Sequence, residues 1–315
     1  MTTPLSGTAA TGRAAEDHFI VVGVDPQGRS AAAVVWAVDE AQRSGVELKL
    51  VSAASGRPGT ERAGEHDLGT LARRLGIGKV AQRAEVGPPV DVLLDSLDGA
   101  DLLVIGCRSM PHTQRLLVGS TSRAVAAWAP VPVVIVPEAW IQPALASAPV
   151  VVGLKPAGHP AAGRTESPDR QVLDFTFAKA AQRRVPLIVV GAVEPARLEA
   201  WSPRDMKQAR AEAKSALEGQ VATWQQTYPD VEVVANSVAE PAWRAIIEAS
   251  RVAQLTVVGR HASPVLTGTL GSTARGVLHH ATRPVTVVPH GRPEDLQREL
   301  ARAGTPGERP WGPML

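Results

Sequence analysis

The chain has 315 residues, 44% hydrophobic and 20% charged, the balance of a globular protein long enough for two ordinary domains. A formal charge of +2 and an aromatic fraction of 3% give neither the field nor the stacking platforms of a nucleic-acid binder. One cysteine, Cys107, excludes an internal disulfide or a cysteine-rich metal site and suits a reducing compartment.

The N-terminal stretch has no apolar core of a secretory signal, and no apolar run reaches the roughly 18 residues of a membrane helix. The expected location is cytoplasmic, with no membrane partner. Residues 1–17 are small and polar and read as a flexible tail. "FIVVGVD" then reads as a fully buried strand, and "SAAAVVWAVDEAQRSG" as a helix started by Ser30 and stopped by Gly45. "VELKLVSA" and the weaker "KVAQRAEV" follow as strands. "PPVDVLLDSLDG" is a helix with proline in its first turn, "ADLLVIG" a fourth strand and "VPVVIVP" a fifth. Strands alternating with helices imply a mainly parallel sheet covered on both faces.

The order then repeats. "PVVVGLK", a helix through "RQVLDFTFAKAAQRR", "PLIVVGA", a long helix from about Pro203 to Tyr228, "VEVVANSV", "EPAWRAIIEAS", "AQLTVVG" and "RPVTVVP" run in turn. Gly106 recurs as Gly259, 153 positions on, while Gly119 recurs as Gly271 and Pro137 as Pro289, each 152 on. The first strands are 130 apart and the "QR" pairs of the first helices 140, so about ten residues enter before that helix in the second copy. "EAWIQPALASA" reads as the linker, and residues 291–315 as one short helix and a loose tail.

Two copies of strand–helix units, Asp25 closing the first strand, and Gly106, Gly119 and Ser120 bracketing the loop after the fourth resemble the universal stress protein family in its tandem two-domain form. The resemblance covers residues 18–139 and 148–290. It implies an α/β fold of two tandem doubly wound (Rossmann-like) domains, each with a parallel five-stranded sheet, related by a pseudo-two-fold axis. In the family the fifth strand pairs with its counterpart, so residues 131–137 and 284–289 should meet, within one chain as a pseudo-dimer or in a homodimer. The implied ligand is an adenine nucleotide, ATP with Mg²⁺. The implied role is a regulatory module that changes conformation and engages an unidentified protein partner. Nucleotide-binding members carry G-x2-G-x9-G-[ST] and an Asp at the end of the first strand. The first copy has Asp25, Gly106, Ser109 in the second glycine's place, Gly119, Ser120 and Thr121. The second has Lys155 for the aspartate, Gly259, Ala262, a loop one residue shorter, Gly271 and Ser272, and is the weaker site.

The chemistry of these residue types agrees. In a doubly wound sheet ligands sit beyond the C-terminal strand ends where the order reverses. Gly119 and Ser120 open a helix whose first N–H groups lack partners and suit phosphate oxygens. The hydroxyls of Ser120 and Thr121 add hydrogen bonds, and Arg108 and Arg115 supply charge. Asp25 accepts from ribose hydroxyls. Glycine allows close approach and positive φ. Cys107 lies between Gly106 and Arg108, a setting that could favour thiolate. His112 is the one titratable candidate base in the loop, and no acidic pair is poised for Mg²⁺, so catalysis is not expected. A slow nucleotide hydrolase and a partner-binding protein that has lost nucleotide remain the alternatives. "GIGKVA" follows a helix and precedes a strand, the reverse of a dinucleotide motif. His279 and His280 point about 100° apart on a helix and cannot share a metal.

Overall fold

Strict alternation builds the first strand, β1 (Phe19–Gly23). Phe19 and Val21 enter one packed layer while Ile20 and Val22 enter the other. The computed structural model describes residues 18–25, 29–54, 62–109, 116–117, 119–142, 147–156, 169–193, 202–260, 270–291, 296, 298 and 309. In the first half α1 (Ala31–Ser44), β2 (Glu47–Ala54), α2 (Arg62–Arg74), β3 (Val80–Val86), α3 (Pro89–Asp95) and β4 (Ala100–Ser109) follow β1. A two-residue strand β5 (Leu116–Leu117), α4 (Ser120–Trp128) and β6 (Val133–Pro137) complete it. The second half runs β7 (Val150–Gly153), α5 (Arg170–Arg183), β8 (Leu187–Ala192), α6 (Pro203–Thr227) and β9 (Val233–Val238). It ends with α7 (Ala242–Ser250), β10 (Leu255–Gly259), α8 (Ser272–His280) and β11 (Val285–Val288).

The strands form one sheet in the order β3-β2-β1-β4-β6-β11-β10-β7-β8-β9. Along this order each half is parallel inside; β6 and β11 join them antiparallel, Ile135 opposite Val285 and Val133 opposite Val287. The two apolar runs expected to meet therefore do so within one chain. This pairing covers two edges whose N–H and C=O groups would otherwise lack partners. One core layer, with Trp36, Phe177 and Leu217, lies under α1, α2, α5 and α6. The other, with Leu93, Val125, Ile246 and Val277, lies under α3, α4, α7 and α8. β5 was not foreseen; it folds back on β4, with Leu117 opposite Arg108.

The seam is also electrostatic. Glu40 of α1 is fully buried between Lys179 and Arg183 of α5, with Arg183 Nη2 donating to its Oε2 at 2.5 Å. Burial alone would raise the Glu40 carboxyl. The charges of Arg183 and Lys179, with hydrogen bonds from both, outweigh it and hold the group below its ordinary value. Arg183 Nε and Nη1 have no acceptor, but the guanidinium lies 5.6 Å from the Trp36 ring centroid. Arg260, just past β10, donates to Ala129 O at the end of α4, 2.7 Å away.

Helix ends correct one alignment. Gly45 and Arg184 both close their helices in the left-handed region, at φ 70° and 54°. The N-caps are Ser30 and Asp169, so the helices correspond at 139 positions, not the 140 read from the "QR" pairs. In the C-terminal stretch Arg309 is buried against α3, its Nη2 2.8 Å from Asp95.

Candidate functional site

Asp25 lies just beyond β1, beside β2, where Val24 N–H donates to Val51 O. Its own N–H donates to Ser30 Oγ at 2.8 Å, and its Oδ2 accepts from Arg29 Nε at 2.9 Å. The Ser30 hydroxyl is engaged by Asp25 and makes no cap hydrogen bond to α1. Gly106 stands on β4, the strand next to β1, with Gly23 opposite Ile105. A Cβ on Gly106 would meet Ser30 Cα at 3.7 Å and Ala33 Cβ at 3.9 Å, ordinary contact and no more. Asp25, Ser30 and Gly106 thus gather where the first turn of α1 meets the ends of two adjacent strands. Ser30 and Arg29 were not among the expected site residues; Arg29, four positions after the aspartate, was the readable signal.

Gly119 is the N-cap of α4, exposed, and a Cβ there would find no atom of the described residues within 4 Å. Ser120 and Thr121 are half-buried in the first turn, and no side chain caps the helix. The expected positive φ is absent: Gly119 has φ −64°, and among the described residues neither Gly106 nor Ser109 enters the left-handed region. The torsional argument for glycine therefore falls at these positions. Arg108 is exposed on β4, and Ser109 is the last residue of that strand. Arg115, His112 and Ala262 lie outside the described residues. β5 rests against α8 of the other half.

The second half carries the same parts in another state. Gly259 ends β10, and Gly271 caps α8, which begins at Ser272. A Cβ on Gly259 would fall 2.4 Å from His290 Cε1 and 3.2 Å from Val172 Cγ2. The imidazole therefore occupies the point that Gly106 leaves clear, and valine replaces Ala33. His290 is held 3.8 Å from the buried carboxylate of Asp169, and Gly291 N–H donates to Gln171 Oε1 at 2.8 Å. Lys155 is exposed beyond β7. Nothing in the sequence pointed to His290; it follows the proline taken as the end of the repeat.

Cys107 does not favour thiolate. It is buried on β4, and burial, then the charge of Glu138, pushes the thiol up to about 12. His280 is half-buried, its Nδ1 2.9 Å from Gly276 O and its ring 4.4 Å from the Trp243 ring centroid. Two clefts between the halves, of about 740 and 670 Å³, lie at the N-terminal ends of β1 and β4, around Phe19 and Phe175, away from Asp25 and Gly106. Their polar groups are of both signs, with His18 and Asp101 paired at 2.8 Å, and size alone does not make them the site. Among the described residues no group of three metal-ligating side chains occurs, and no helix is long and apolar enough to cross a membrane.

This architecture, two doubly wound halves joined edge to edge, defines a tandem α/β protein. The universal stress protein family model matches residues 18–137 and again 161–289, and the chain belongs to that family. It is 29% identical over 295 residues to a universal stress protein of Mycobacterium tuberculosis, covering 86% of this chain and 97% of that one. A second from the same species is 28% identical over 291 residues, covering 85% and 95%. A universal stress protein structure from Pseudomonas aeruginosa superposes with TM-score 0.60 at 19% identity, covering 91% of this chain and 98% of that one. One from Archaeoglobus fulgidus gives 0.60 at 16% identity, covering 87% and 96%. These two show the shared fold.

Proposed function

We propose that the protein is an adenine-nucleotide-binding regulatory module with one working site per chain, in the first half. One observation carries this reading: the crevice at Gly106 is bounded by Ser30 and Ala33 at ordinary contact distance, whereas His290 fills the equivalent point at Gly259. Asp25 exchanges its contact with Arg29 for the ribose hydroxyls, which it can accept as a bidentate anion. The first-turn N–H groups of α4, opened by Gly119, take the phosphates, with Ser120 and Thr121 hydroxyls beside them. Mg²⁺ supplies charge neutralisation on the phosphates; it keeps most of its waters in such sites and needs no cage of protein carboxylates.

The regulatory step follows from the contact between β5 and α8. Nucleotide bound beside β4 and α4 shifts β5 and so changes what rests on the second half, and a partner reading α8 senses occupancy of the first. A ligand moves such an equilibrium only by its differential affinity for the two arrangements. The test is calorimetric titration of the purified full chain with ATP and Mg²⁺. A stoichiometry of one, abolished by Gly106→Ala with unchanged thermal unfolding, supports the reading, because the added methyl fits the empty crevice but not an occupied one. No binding to the unaltered chain favours the nucleotide-free alternative. ADP accumulation during the titration favours the hydrolase.

A further inference from the structure

The N-terminal half of α6 carries a feature unrelated to the nucleotide crevice. Lys207, Arg210 and Lys214 recur at i, i+3 and i+7, so they share one face of the helix. That face borders a groove of about 590 Å³ against β9, the edge strand of the second half. Among the described residues the groove is lined by these three cations, by Asn236 and Ser237 of β9, and by apolar groups including Met206, with no carboxylate. Among the described residues the acids on this stretch of α6 have other partners. Asp205 closes the capping box with Ser202, Glu212 accepts from Gln208, and Glu218 stands 3.7 Å from Lys214 with both side chains more than half exposed. An exposed pair of that kind neutralises little.

Arg210 is fixed in place, its Nε donating to Ser237 O at 3.0 Å. Beneath it Ser237 is 7% exposed, and its Oγ is buried with no hydrogen-bond partner among the described residues. Hydroxyls so placed are nearly always satisfied in folded proteins. Three like charges on one helix face also repel one another unless something anionic lies between them. A stripe of cations and an unmet hydroxyl donor, reached separately, call for the same thing: a compact group rich in acceptor oxygens and negative charge.

We infer that the groove between α6 and β9 is a binding site for a phosphorylated small molecule. Its phosphate monoester would lie among Lys207, Arg210 and Lys214 with the Ser237 hydroxyl donating from below. A phosphate dianion offers more acceptor oxygens than a carboxylate and matches the charge of the stripe. The groove exceeds a bare phosphate and falls within the volume range of small-molecule sites. Met206 and the exposed part of β9 receive the remainder of the ligand.

The test uses the full-length chain with isotope-labelled backbone amides, titrated with inorganic phosphate, with glucose 6-phosphate, and with sodium chloride at matched ionic strength. Saturable shifts confined to amides near 207–214 and 236–238 are expected with both phosphates, tighter for the ester. The double variant Lys207→Ala/Lys214→Ala should weaken binding by at least about tenfold, and Ser237→Ala by roughly three- to tenfold. Asp25→Ala should leave it unchanged. Shifts reproduced by chloride, or persisting in the double lysine variant, overturn the proposal. So does a chain that ignores both phosphates but binds an acidic peptide along β9.

Discussion

The ends of β4 and β10 are the same place in two copies of one fold, and their surroundings differ. On β4, Gly106 has Ser30 and Ala33 at ordinary contact distance near Asp25; at the end of β10, Gly259 faces Val172 and the ring of His290, on the side of Lys155. Repeating a fold fixes where a crevice can form but not whether it stays open, because a few side chains at its mouth decide that. The seam follows the same rule. Glu40 and Lys179 hold equivalent positions on α1 and α5 and are opposite in charge. Two identical first halves would set glutamate against glutamate there.

The largest expected effect breaks the comparison at the seam. Glu40→Ala leaves the buried Arg183 and the half-buried Lys179 without their anion and should cost about 3–5 kcal/mol in chemical denaturation. The charge swap Glu40→Lys with Lys179→Glu should recover much of it. Because the Glu40 carboxyl lies below its ordinary value of 4.5 in the fold, its contribution is complete above that pH and is lost as pH falls through the lower folded value. Glu40→Gln, already weaker at neutral pH, should therefore lose less stability than the unaltered chain on acidification below 4.5.

Next comes the crevice. Asp25→Ala should weaken ATP binding by about 10–100-fold, the loss of one or two charge-assisted hydrogen bonds, while Lys155→Ala leaves it unchanged in the same titration. Sharper still is the reverse experiment. His290→Ala combined with Lys155→Asp clears the second crevice and restores its acceptor, so the stoichiometry should move from one towards two. The new site should be at least about tenfold weaker, since its loop is a residue short and Val172 crowds it. The smallest effect concerns Gly119→Ala. With φ −64° and no atom of the described residues within 4 Å of the added carbon, thermal stability should change by no more than about 0.5 kcal/mol, while affinity for the phosphates falls.

What could be read from the sequence followed physical period. Strands such as β1 and β6, buried on both faces, are short apolar runs, and α6 ran where its helical pattern placed it. The "QR" pairs misled by one position because side-chain letters do not define a helix end, whereas the left-handed residues Gly45 and Arg184 do. Cys107 misled because its neighbours in sequence, Gly106 and Arg108, suggested a loop. In fact β4 continues to Ser109, and alternation sends Cys107 inward with Leu103 and Ile105 while Arg108 turns out. β5 is two residues long and has no period to detect. His290 could not be foreseen at all: Glu138 at the matching position of the first half is exposed, and only the path of the chain after β11 turns a histidine back onto Gly259.

The antiparallel pairing of β6 with β11 has one more consequence. Along the ten-strand path, every strand of the first half points its C-terminal end at one rim of the sheet, and every strand of the second half points its own at the other. Ten strands spaced ~4.8 Å apart make a tile roughly 40 Å wide with a head and a tail. On one rim stand Asp25 and the clear crevice; on the other stand Lys155 and the histidine. A dimer of identical single repeats would show the same face at both rims. In this chain the rims differ, so a partner that docks edge-on meets either the open crevice or the closed one, never both, and stacking of such tiles has a direction.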